Sequence, residues 1–294
     1  MRILFLLLIA SCLPARLLAS QFVFVDSFGS SGPVRLDNPS GVAVAQDGTL
    51  WVSDFGLGRV LHFTTTGTYL GEATPRPNAW MPTGVAVLAN GQLVVAGGDV
   101  WLFNSDGTGG ASLGQTGGCY GVVAKPDGGF LFTRQLAGEL WSWPDWGGVY
   151  GAPGATGVAL ELSSYNSIYG VFFSTCQTPS RVRRHRALNT VEYSGTILGN
   201  FSTPMDVECM GDQVLIADTG NHRVLVMDSD MNYQTHFGTF GSGPGQMSRP
   251  SGLAVTPDGT VFVTDLDTNR VSRFVLAPTA AVPSSWGRIK SLVR

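Results

Sequence analysis

Three acid–arginine pairs recur at one spacing: Asp54/Arg59, Asp218/Arg223 and Asp265/Arg270. A carboxylate and a guanidinium five residues apart across a short loop can close an ion pair that fixes the loop. They can also form a ring of charges for a ligand, but recurrence at a repeat position favours the structural role. The densest charge lies elsewhere, within Cys176 to Asn189, where Arg181, Arg183, Arg184, His185 and Arg186 crowd together. Guanidinium groups in such a cluster suit a carboxylate, phosphate or sulfate, held through paired N–H donors. The plain alternative is a solvated loop. Asp206 and Glu208 fall on the first strand of the fifth copy, where the first two copies have Gly and Ala, and Asp206 is a candidate for ligand binding. Trp146, in Pro-Asp-Trp-Gly-Gly, sits at a turn where an indole could stack on a sugar ring or base.

Nucleophilic and metal chemistry find less support. No Gly-x-Ser-x-Gly occurs, and no cysteine–histidine spacing suggests a nucleophile and its base. The histidines His62, His185, His222 and His236 are scattered and match no zinc spacing. No catalytic, cofactor or metal residues are therefore assigned. Cys119, Cys176 and Cys209 are an odd set, read as small apolar core residues, with one disulfide left open.

The elements that position these residues are short strands. The chain holds 294 residues with 39 Gly and 16 Pro, and only 13% are charged. That composition suits many strands joined by tight turns, and 44% hydrophobic residues supply a core. A net charge of −3 argues against a general polyanion-binding surface, so nucleic acid is not the expected partner.

Pro39 to Gly71 reads as one four-stranded meander: Gly41–Val44, Thr49–Ser53, Arg59–Phe63 and Tyr69–Gly71. Asp47-Gly48 makes the first hairpin turn. The motif returns near the end as Pro250 to Phe274. First strands start near 41, 84, 121, 157, 205 and 252, which gives six copies. No copy buries both its faces alone, so the copies must pack around an axis.

In the fourth copy, the expected second strand is Ile168 to Thr175 and the third is Thr190 to Tyr193, with Cys176 to Asn189 as an inserted loop. Trp141 and Trp143 fall in a third strand and are expected in the core. The last copy lacks a fourth strand. Phe24 to Gly29 resembles His236 to Gly241, so residues 22–28 should supply the missing outer strand.

The N-terminus reads as an export signal, with Arg2 followed by the apolar run Ile3 to Ala10 and small residues to Ser20. Cleavage near Ser20 is preferred; Ile9-Ala10-Ser11-Cys12 alternatively resembles a lipobox, which would tether Cys12 to a membrane. Residues 1–20 are thus a signal, 21–276 a propeller, and 277–294 a linker with a short basic tail. The tail is a sorting signal, a docking peptide or a frayed end.

The pattern Pro-x-Gly-[Val/Leu]-Ala-Val, then Asp-Gly, Val-x-Asp and Asn-x-Arg-Val resembles the NHL repeat. The resemblance covers about residues 22–276 and implies an all-β, six-bladed propeller of four-stranded antiparallel blades. The N-terminal strand would complete the last blade. Relatives of this kind are mostly binding scaffolds; a minority are lyases or hydrolases. Amidating lyases of this type hold zinc with histidines at the axis, and related hydrolases hold calcium with inner-strand acids. Here no histidine lies on an inner strand, and only Asp206, Glu208 and Glu161 supply acidity there. The expectation is a secreted, monomeric binding scaffold for a protein, a glycan or an anionic small ligand. The alternative is a metal-dependent lyase or hydrolase.

Overall fold

The turn that joins the first two strands of blade one has a chemistry visible in its residues. In blade one, Asp47 Oδ1 accepts from the Thr49 amide at 2.9 Å, and Gly48 adopts φ +81°. A left-handed φ is costly for any residue with a Cβ, so Gly48 suits the site. The turn brings the Ala45 amide to the Thr49 carbonyl at 2.8 Å and starts the ladder in register. The computed structural model describes residues 22–73, 81–114, 118–135, 138–144, 147–151, 154–161, 171–186 and 189–277.

Six four-stranded antiparallel sheets form the ring of a six-bladed propeller. From the axis outward, blade one is Pro39–Val44, Leu50–Asp54, Arg59–Phe63 and Tyr69–Ala73. Blade two is Gly84–Val87, Leu93–Ala96, Val100–Phe103 and Ala111–Ser112. Blade three is Cys119–Ala124, Phe130–Arg134, Glu139–Trp143 and Gly147–Gly151. Blade four is Ala155–Leu160, Val171–Cys176, Arg181–Arg186 and Asn189–Tyr193. Blade five is Asp206–Met210, Gln213–Asp218, Arg223–Asp228 and Tyr233–Phe237.

Blade six takes Pro250–Val255, Val261–Asp265 and Arg270–Leu276 from the end of the chain, and Phe22–Phe28 from its start. The N-terminal strand pairs from Phe22 with Leu276 to Phe28 with Val271. It completes the last blade as expected. Phe22 is buried and stacks on Phe237 at 4.6 Å, so the strand also seals the neighbouring blade.

Blade four corrects the sequence reading. The stretch expected as an inserted loop holds a strand. Val171–Cys176 turns through four residues into Arg181–Arg186, which is the third strand. The stretch expected to be third, Thr190 to Tyr193, is the outer strand. The physical reason is that the polar residues of Arg181–Arg186 find partners along the blade. Arg183 Nε donates to Glu192 Oε1 at 2.6 Å, and His185 lies fully buried between Ser174 and Thr190. A buried polar group tolerates such a place only when it is hydrogen-bonded.

The core is distributed over the seams. Each pair of neighbouring blades encloses its own apolar cluster, such as Trp51, Val60, Val85 and Leu93 between blades one and two. Near the axis, hydroxyls stitch five seams. Ser40 donates to the Pro82 carbonyl at 2.9 Å, Thr83 to Cys119 at 2.9 Å and Thr156 to Pro204 at 3.3 Å. Thr219 donates to Pro250 at 2.6 Å and Ser251 to Pro39 at 3.1 Å, which closes the circle. Each such bond satisfies a carbonyl of the next blade, for a net gain of about 1 kcal/mol.

Candidate site at the propeller axis

The inner strands approach one another closely because five of them carry glycine at one position: Gly41, Gly84, Gly121, Gly157 and Gly252. A Cβ on Gly84 would stand 2.3 Å from the Tyr120 carbonyl oxygen, and one on Gly121 would stand 2.4 Å from that of Thr156. Neither contact is sterically possible, so the residue type sets the width of the channel. Blade five departs from the rule. Its residue at this register is Asp206, paired with Ala217 as Gly41 is with Ser53.

Each inner strand has a neighbour on one side only. In an antiparallel ladder, alternate residues bond to the partner strand and those between turn their amides to the free edge. The bonds from the amides of Ala45, Leu88, Lys125 and Glu161 to the carbonyls of Thr49, Gln92, Gly129 and Val171 set the phase. The residue after the glycine therefore directs its N–H toward the channel: Val42, Val85, Val122 and Val158. The equivalents in blades five and six are Val207 and Leu253, and both show where these amides go. Asp206 Oδ1 accepts from Val207 at 2.9 Å, and its Oδ2 accepts from Leu253 across the seam at 2.8 Å.

Around this ring lies a cavity of about 340 Å³, open on the face that carries the loops between second and third strands. Phe55, Tyr120, Gln177, Arg249 and Leu266 border it, and Asp206 and Glu208 lie in its wall. Beyond the ring the channel continues as an apolar chamber of about 310 Å³ lined by Val44, Val87, Ala124 and Val255. Glu208 borders both spaces, so it marks the waist of the channel.

The electrostatics follow from that position. Burial pushes the Asp206 carboxyl up to about 7, against the opposing pull of its two amide donors. Burial, reinforced by the nearby Asp206 charge, pushes Glu208 up to about 8. The ring wall therefore holds two acids that exchange protons near neutrality.

A divalent ion fits this donor set poorly. Both oxygens of Asp206 already accept amide bonds, and both acids come from one strand. Among the described residues no group of three His, Cys, Asp or Glu stands together. The histidines lie in the blades: His62 stacks on Trp51 at 4.1 Å, His222 packs on Phe240, and His236 meets the Tyr233 hydroxyl.

The other residues singled out in the sequence fall away from the axis. Arg181 and Arg183 share Glu192, and Arg184 pairs with Asp230 at 2.9 Å. His185 is held down to about 3, first by burial and then by the Arg183 charge. The inserted loop expected there is thus corrected to a strand, with Arg181 and Arg183 paired inside blade four and Arg184 paired with blade five. Arg186 ends that strand. Trp146, the signal stretch and residues 278–294 lie outside the described residues. Trp141 and Trp143 pack against the cluster between blades two and three.

Among the three loop pairs, Asp218 and Arg223 meet at 2.9 Å. The other two differ from the expected ion pair. Asp54 accepts the amides of Asp37 and Leu57, while Arg59 turns to Glu72 at 3.1 Å. Asp265 accepts the amides of Ser248, Arg249, Asp267 and Thr268, and Arg270 holds the carbonyls of Ser242, Gly243 and Gln246. In each, the acid ties a connection to a loop through backbone amides, which are nearer than the guanidinium.

Comparison with known proteins accords with this architecture. The NHL repeat matches at residues 36–63 and 247–274, the cores of blades one and six. No curated protein is similar to the chain in sequence. Among solved structures, a streptogramin B lyase superposes with a TM-score of 0.61 at 14% identity, covering 87% of this chain and 98% of that one. A gluconolactonase from Xanthomonas campestris gives 0.64 at 15% identity, covering 82% and 87%. A chain of a nidogen/laminin complex gives 0.60 at 15% identity, covering 75% and 86%. At such identities the likeness is one of fold.

Proposed function

We propose that this NHL-repeat propeller is an exported binding protein that receives a small ligand, or a small group on a protein or glycan, in the axial cavity. One observation carries the reading. The cavity of about 340 Å³ combines an aromatic and apolar rim at Phe55, Tyr120 and Leu266 with Asp206 and Glu208 deeper in its wall. Concave sites with apolar walls and a few convergent polar groups are where small ligands bind. Export rests on the N-terminal stretch, Arg2 to Ser20.

The test is a ligand screen by thermal shift on purified protein, followed by Phe55→Ala and Arg249→Ala. Hits that lose affinity at least about tenfold, or about 1.4 kcal/mol, in these variants support axial binding. Hits unaffected by both variants would move the site elsewhere.

A second reading has its own support. Asp206 and Glu208, exchanging protons at about 7 and about 8, have the range wanted for proton transfer near neutral pH. On that reading the protein is a lyase or hydrolase, with one acid as base and the other as acid. Conversion of a screening hit to product, lost in Glu208→Gln with binding retained, would favour it.

A further inference from the structure

Six backbone amides point into the upper channel, one from each blade. Two of them already hold a carboxylate, because Asp206 bonds both Val207 and Leu253. The other four belong to Val42, Val85, Val122 and Val158, and all four residues border the cavity. The hydroxyls beside the ring take the preceding amides: Ser53 accepts from Gly41, Thr133 from Gly121 and Thr175 from Gly157. Glycine at the preceding position lets the next inner strand approach closely, since a Cβ there would meet that strand's backbone. Blade five alone carries a side chain, Asp206, at this register.

We infer that the upper ring of the channel is a carboxylate site, in which Val42, Val85, Val122 and Val158 donate amides to a small organic acid. Asp206 is the built-in counterpart of that ligand: it does to two amides what the ligand does to the rest. Convergent backbone N–H groups form concavities that favour anions. The rim explains why an organic acid is preferred to a bare inorganic anion. Phe55 and Leu266 offer apolar surface to the body of the ligand, and the half-exposed Arg249 stands beside them.

The acids facing the site set its pH response. From blade five these are Asp206 and Glu208. Arg249, paired with Asp267, faces from the connection into blade six. With both acids raised by burial, protonation below about 7 to about 8 removes like charge beside the ligand. Binding therefore strengthens as pH falls, until the ligand acid itself takes up a proton.

This inference rests on the axial cavity being the binding site, and the test separates the two. Benzoate, benzamide and benzylammonium are titrated into protein labelled with 15N-valine, with the valine amides followed by NMR. The expected result is that benzoate shifts the amides of Val42, Val85, Val122 and Val158, while benzamide and benzylammonium act weakly. Asp206→Gly restores the residue found in the other five blades, frees two amides and removes a charge. It should tighten benzoate binding about tenfold at neutral pH, or about 1.4 kcal/mol. Asp206→Asn, which keeps a side chain in place, should show a smaller gain.

Benzylammonium or benzamide shifting these amides while benzoate does not would overturn the carboxylate site and leave the axial cavity standing. Benzoate bound without shifts at the four valines, or no tighter to Asp206→Gly, would overturn it as well. No probe perturbing any of the four would overturn the carboxylate site, while the ligand screen with Phe55→Ala and Arg249→Ala still decides the axial cavity.

Discussion

Asp26 and Arg273, separated by 247 residues, meet in a two-pronged ion pair with Nε–Oδ1 at 2.9 Å and Nη2–Oδ2 at 2.5 Å. The pair lies between the outer strand of blade six and its neighbour, where the two ends of the chain join. Paired guanidinium–carboxylate contacts add geometric specificity to energy. Phe22, at 7% exposure, anchors the same strand in the seam with blade five.

The closure should dominate stability. Arg273→Ala is expected to cost about 1 kcal/mol, since Asp26 is well exposed and its partner partly so. Phe22→Ala should cost about 3 kcal/mol, as large-to-small changes in a packed core do. Removal of residues 22–28 should lower Tm far more than either. Calorimetry of the three variants ranks them, and a truncated chain with unchanged Tm would refute the closure.

Asp206 and Glu208 predict a limb that falls as pH rises from the ordinary carboxylate range to about 8. Their folded values lie above the ordinary carboxylate range, so the protonated forms are favoured by folding. That contribution is complete at pH below the ordinary range and is lost as pH rises through about 7 and then about 8. Tm should therefore drop across this window. Glu208→Gln should flatten the drop, and an unaltered profile in this variant would count against the raised Glu208 carboxyl.

His185 predicts a limb of the opposite sense. Its folded value, about 3, lies below the ordinary imidazole value of 6.5, so the fold prefers the neutral ring. Its contribution is present above pH 6.5 and is lost as pH falls toward about 3. His185→Gln should lower Tm at neutral pH by breaking the contacts with Ser174 and Thr190, yet shrink the loss in acid. Scanning calorimetry from neutral to acid pH checks both signs.

Arg183 should matter to folding and not to binding. Arg183→Ala removes a nearly buried guanidinium from Glu192 and is expected to cost about 1–3 kcal/mol. Affinity for any axial ligand should stay within about twofold, well under 1 kcal/mol. A larger loss of affinity with stability intact would return the arginine cluster to the ligand.

Much of the fold was readable because the repeat punctuates itself. Asp47-Gly48 and Asp258-Gly259 end the first strands of blades one and six, and both glycines adopt left-handed φ. The likeness of Phe24–Gly29 to His236–Gly241 correctly placed the N-terminal strand in the last blade.

Blade four was misread because its third strand buries Arg183 and His185, which erases the apolar alternation that marks a strand. A subtler signal was present. Cys176 and Arg181 stand five apart and face each other across the loop, as Asp54/Arg59 and Asp265/Arg270 do. With cysteine in place of the acid, the spacing alone carried the information.

At the axis, Asp206 and Glu208 were visible as departures from Gly and Ala. Phe55, Tyr120 and Arg249 were not, because they come together only when the ring closes. The valine amides have no signature at all in side-chain chemistry.

The shared sixth blade also fixes an order of events. Phe22–Phe28 precedes its partner strand, Arg270–Leu276, by nearly the whole chain during synthesis. Blades one to five can each pair internally as they are made, but the earliest strand must wait, edge open, for the last. Such a long-range contact is slow to form and leaves an interim strand edge free to pair wrongly. The charged Asp26 on that waiting strand is the kind of residue that discourages edge-to-edge pairing. The residue that clamps the finished ring thus also protects the unfinished one.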